Sequence, residues 1–163
     1  MSGRKLRIFS VVVVLVLGSI LIWRNTASKL EGPEISQDAL GQGLVDRWNA
    51  GLPAGYEAET ADDLDRGHLY ARLTYGAEQG EALEGTWEPV TDAVWDAFAS
   101  MTAAHAALPD LDAAHAALLA EAPSSPGDGW TGGLLTGEDG ARIALVFDPA
   151  AGVLYAAEEQ PAA

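Results

Sequence analysis

The residues best suited to chemistry sit in a near-tandem, AAHAAL at 103–108 and again at 113–118. It gives the spacing His105-x4-Asp110-x-Asp112-x2-His115. Imidazoles and carboxylates are the donors that hold Zn2+ and related divalent ions. An offset of ten residues, however, puts the two histidines on different faces of a continuous helix. They converge only if the chain folds back at Pro109, and helical zinc motifs use the tighter i, i+4 spacing. Both also lie on apolar stripes, where a histidine commonly edges a core. The expectation is therefore two core-edge histidines and no cofactor. His105, Asp110, Asp112 and His115 are the candidate metal set if that expectation fails, and a pH-sensitive contact is a third use.

Other chemistry is less specific. Asp62, Asp63 and Asp65 place carboxylates at alternate positions, as calcium loops do, but without the glycine and downstream glutamate of such a loop. A solvated helix start or turn is expected there. The 24 acids supply many carboxylate pairs without selecting one for glycoside hydrolysis. There is no G-x-S-x-G elbow. GEDG and GDG lack the Lys-Ser/Thr of a phosphate loop. No cysteine is present, which excludes disulfides, thiolate metal sites and a Cys nucleophile. Trp48, Trp87, Trp95 and Trp130 can line a pocket or fill a core, and in a domain this small the core is the expectation.

The elements that must position these residues follow from periodicity. A helix is expected from Ser36, with Leu40, Leu44 and Trp48 on one face and Gly51 ending it. Residues 52–67 read as turn-rich and acidic. His68–Tyr75 alternates as a strand, and GAEQGEALEG leads as a loop into a partner strand carrying Leu83, Gly85 and Trp87. Thr91 or Asp92 caps a helix with Val94, Phe98, Met101, His105 and Leu108 on its buried face. Pro109 interrupts it. Asp110 caps a shorter helix with Leu111, His115 and Leu118. Strands follow at 130–136, 141–147 and 153–157, joined by GEDG and DPAAG turns. The tail EEQPAA should fray. The order α-ββ-αα-βββ implies an α+β domain, with an antiparallel sheet and helices on one face.

Charge and hydropathy divide the chain. Residues 1–29 hold Arg4, Lys5, Arg7, Arg24 and Lys29 and no acid. Residues 30–163 hold all 24 acids against Arg47, Arg66, Arg72 and Arg142, a net of −20. A domain of that charge repels phosphate backbones, which argues against nucleic acid. Residues 8–23 are sixteen uncharged residues, about 24 Å as a helix, against a hydrocarbon core of about 30 Å. Arg7 and Arg24 can snorkel, and Trp23 falls at the interface. Cleavage after Ala27 would make this segment a signal peptide, but Asn25 and Arg24 make a poor processing site.

The chain is thus expected to have a basic cytoplasmic N-terminus at 1–7 and a signal anchor in the bilayer at 8–23. A linker at 24–35 and an acidic extracytoplasmic domain at 36–163 follow. Scarce lysine with abundant Ala, Gly and Arg suggests a GC-rich prokaryotic genome. The expected function is a non-enzymatic, membrane-tethered interaction subunit of a cell-envelope or membrane complex, its partner a membrane protein. The acidity is expected to serve solubility, for instance in a salty habitat, and docking to a basic surface on that partner is the sharper reading. The alternatives are a small-ligand-binding module and a hydrolase or metalloenzyme using His105, His115 and an aspartate.

Overall fold

The continuous apolar run Ile143-Ala144-Leu145-Val146-Phe147 dictates much of the architecture. Successive side chains of a strand point to opposite faces, so a run with no polar alternation needs cover on both. All five residues are fully buried. In the computed structural model, which describes residues 47–48, 50, 52–83 and 85–161, this run lies inside a five-stranded antiparallel sheet. The strands are β1 (Tyr56–Asp63), β2 (His68–Tyr75), β3 (Thr131–Thr136), β4 (Arg142–Asp148) and β5 (Val153–Glu159). Their order is β1-β2-β5-β4-β3, every neighbour antiparallel. Three helices lie wholly within the described residues: α1 (Ala77–Leu83), α2 (Asp92–Ala106) and α3 (Ala113–Ala120). The domain is α+β.

Helices cover both faces of the sheet, not the one expected. On the first face, Leu73, Leu154 and Phe147 form a cross-strand row, with Leu83 from α1 and Leu52 in the same cluster and Trp48 and Trp87 at its margin. On the second, Phe98 and Met101 of α2 and Leu119 of α3 cover Ala61, Tyr70, Ala144, Val146 and Ala157. Phe98, fully buried, contributes roughly 3–5 kcal/mol relative to alanine at such a site.

Two stretches differ from their sequence patterns. Residues 56–63 form β1 rather than a turn, because an eight-residue register with β2, from Tyr56↔Tyr75 to Asp63↔His68, outweighs the poor strand propensity of Glu, Ala and Asp. Residues 77–83 form α1 rather than a loop leading into a strand. Ala, Glu, Gln and Leu favour helix, and the turn buries Leu83.

Local caps explain the boundaries. The Thr91 hydroxyl accepts from Val94 N–H and starts α2. Asp112, not Asp110, caps α3, its carboxylate accepting from the N–H groups of Ala114 and His115 at 2.8 and 3.0 Å. Asp110 instead takes the left-handed conformation, φ 62°, in the turn after Pro109. Asp63, Leu64–Arg66 and Gly67 close the β1–β2 hairpin. Gly67 has φ 75°, and a Cβ there would lie 2.8 Å from that of Gln160.

The expected fraying of EEQPAA does not extend to Glu158 and Glu159, which belong to β5. Glu158 is only 4% exposed. Among the described residues no helix is long and apolar enough to cross a membrane. The expected anchor at 8–23, its flanks Arg4, Lys5, Arg7, Trp23 and Arg24, the linker and most of the helix from Ser36 lie outside the described residues; Arg47 and Trp48 are helical.

Candidate functional site

The histidine pair of the tandem repeat does not converge. His105 points from the last turn of α2 into the domain, 2% exposed, and its ring stacks on that of His68 with centroids 5.5 Å apart and planes at 25°. Neither nitrogen of His105 has a hydrogen-bond partner, nor does Nδ1 of His68. Burial, followed by the neighbouring His68, pushes the His105 pKa down to about 4. His115, on α3, instead sets its Nδ1 2.9 Å from Asp112. The backbone N–H groups that Asp112 caps, His115 first, hold its carboxyl below the usual range. His105, Asp110, Asp112 and His115 therefore form no ligand set. Among the described residues no group of three or more His, Asp or Glu is placed to hold a metal.

His68 was the residue to pair with His105, and its pattern concealed this. It alternates with Leu69 and so reads as solvent-facing, but that face of β2 is the one α2 covers. Of the carboxylates at 62–65, Asp63 is used locally. Asp63 accepts from Arg66 N–H at 3.1 Å and ion-pairs with its guanidinium at 3.0 Å. Arg66 in turn donates to the Pro109 carbonyl at 2.8 Å, tying the hairpin turn to the α2–α3 connection.

The four tryptophans separate by face. Trp48 donates Nε1–H to Glu158 at 3.0 Å on the first face, beside the Arg47–Glu158 ion pair at 2.8 Å. On the second face Trp95 and Trp130 join Tyr155 in a half-buried aromatic shelf. Trp130 stacks on Tyr155 at 5.9 Å and 18°, and Trp95 meets Trp130 edge-on at 6.5 Å. Phe98 supports the shelf from within, 5.5 Å from Trp95 and 6.5 Å from Tyr155. Buried beneath lies Tyr70, whose hydroxyl has no partner. Burial and then the Asp148 carboxylate push the Tyr155 phenol up.

The four arginines among the described residues are all committed. Arg47 pairs with Glu158 and Asp139, Arg66 with Asp63, Arg72 with Glu59 and Glu121, and Arg142 with Glu159. Arg72 is held at 2.6 and 2.7 Å by carboxylates from β1 and from the end of α3. These four are the only cationic side chains, other than histidine, in residues 30–163. Among the described residues, most carboxylates outside these pairs are exposed.

Compared with known protein families, curated proteins and solved structures, the chain shows no match.

Proposed function

We propose that this chain is a non-enzymatic, membrane-tethered interaction subunit of a cell-envelope or membrane complex. In this reading, residues 8–23 anchor it in the bilayer with residues 1–7 in the cytoplasm. The acidic domain at 36–163 stands outside and docks a membrane-protein partner through a basic surface on that partner. The observation that carries the reading is the commitment of all four arginines to internal ion pairs, which leaves a net charge of −20 over residues 30–163 for an outside surface to meet. A one-sided field of this kind speeds encounter with basic patches and discourages acidic ones. Tethering raises the effective concentration of the domain near other membrane proteins, so weak docking suffices.

The test is extraction of the full chain in gentle nonionic detergent and identification of what copurifies, over roughly 50 to 500 mM salt, where the Debye length shrinks from about 14 to about 4 Å. A membrane protein that copurifies at low salt and is lost at high salt is expected. Retention that salt leaves unchanged or strengthens overturns the reading.

A further inference from the structure

We propose that the aromatic shelf of Trp95, Trp130 and Tyr155 is the docking surface, and that it receives an arginine or lysine side chain from the partner. This inference rests on the acidic-docking reading and gives it a location. Three rings from three separate elements, α2, the 127–130 loop and β5, meet on one face of the sheet. All three are only partly buried, although Phe98 and Tyr70 beneath them are closed off from water. The faces of such rings attract cations through their quadrupole.

Carboxylates stand around the rings. Asp92 lies one helical turn before Trp95, on the same side of α2. Asp128 is two residues before Trp130. Asp148 lies on β4 diagonal to Tyr155, across the Val146↔Tyr155 pair, and its charge acts on the Tyr155 phenol. None of these three has an ion-pair partner among the described residues. Asp148 accepts only the backbone N–H groups of Ala150 and Ala151. Among the described residues Arg72 is the one cation whose charge reaches Tyr155, and Glu59 and Glu121 already hold it.

Aromatic faces with a carboxylate rim and no free internal cation are complementary to a guanidinium or ammonium group. Among the described residues the four arginines are committed, and in the docking reading that group comes from the partner. Arginine fits better than lysine, because its planar guanidinium stacks on a ring while donating to a carboxylate at the edge.

The test uses the full chain in nonionic-detergent micelles and isothermal titration with a tetra-arginine amide peptide, against the same peptide built from neutral citrulline. Tetra-arginine is expected to bind at least tenfold more tightly than the citrulline peptide. The double variant Asp92→Asn/Asp128→Asn should lose about tenfold, and Trp130→Leu more. Glu78→Gln/Glu81→Gln removes equal charge from α1, on the opposite face, and should lose less than threefold. The charge variants leave the packing intact, so they decide the matter if Trp130→Leu proves unstable. Equal losses in the two double variants would overturn the shelf while leaving the acidic-docking reading standing, since that reading is judged by the salt dependence of copurification. Equal binding of the citrulline peptide would overturn the cationic occupant. So would Trp130-dependent binding of a chitin oligosaccharide without binding of tetra-arginine, which would point to a glycan.

Discussion

Acid should weaken the fold through His105, and the loss should appear well above the range in which carboxylates titrate. An unfolded histidine has a pKa of about 6.5, whereas folded His105 is pushed down to about 4. Between those values the unfolded chain binds a proton that the folded domain refuses. The stability is therefore intact above about pH 6.5, falls as pH drops below it, and levels off below about 4. The groups facing the imidazole explain the refusal. Burial is largest, then His68 on β2; His115 on α3 and Arg66 in the hairpin turn add to it, and only Asp63 opposes. Between pH 7.5 and 5 the linkage amounts to about 2 kcal/mol, or roughly 6–12 °C in Tm for a domain of this size. Thermal melts of the full chain in detergent, followed by tryptophan fluorescence at several pH values in that window, measure it. The variant His105→Leu keeps an apolar side chain under α2 and removes the proton acceptor. Its melting temperature should vary with pH by less than half as much as the parent's. A variant as acid-sensitive as the parent would show that His105 is not the group responsible.

Other outcomes follow from the same contacts. Arg47→Met leaves the buried Glu158 with the Trp48 N–H alone and should cost about 1–2 kcal/mol in urea melts, the exposure of Arg47 moderating the loss. Gly67→Ala combines a left-handed backbone with a close approach to Gln160 and should cost about 1–2 kcal/mol by the same measurement. Chelator should leave the melting temperature unchanged; a drop of several degrees that Zn2+ restores would revive the metal set at His105 and His115. Intact-mass measurement on membrane-extracted protein should find the N-terminal segment uncleaved, and a mature chain starting at Ser28 would make it a signal peptide instead.

The sequence revealed the elements whose patterns and packing agree. β2 alternates, α2 carries a capped apolar stripe, and the C-terminal hairpins have short turns between apolar runs. β1 was hidden because YEAETADD lacks β-branched apolar residues, apart from its single threonine, and its pairing with β2 is a tertiary fact. α1 was hidden because seven residues with two glycines close by resemble a loop. The two-sided cover was in principle legible in the unbroken run at 143–147, which a one-faced sheet cannot bury. At the candidate sites the same division holds. His105 on an apolar stripe announced its burial, but no pattern within β2 could announce that His68 meets it. Trp95 and Trp130 were visible as residues. Their meeting with Tyr155 depends on how the 127–130 loop returns across α2, and no spacing encodes that return.

Scarce cations and abundant carboxylates have two consequences of opposite sign, and together they separate docking from mere solubility. The four described arginines tie elements together: Arg47 to β5, Arg66 to the α2–α3 connection, Arg72 to β1 and the end of α3, Arg142 to β5. What remains is self-repulsion, which weakens a folded domain and which salt screens. The exposed arginine pairs lose a few tenths of a kcal/mol each on screening, less than relief of a net −20 returns. Salt should therefore raise the melting temperature of the isolated protein. If the acids serve only to keep the domain folded and hydrated in brine, partner retention should rise with salt alongside it. If they steer a cationic partner to the shelf, retention should fall while the melting temperature rises. The two measurements on one preparation then move apart, and a common direction would remove the charge-based account of docking.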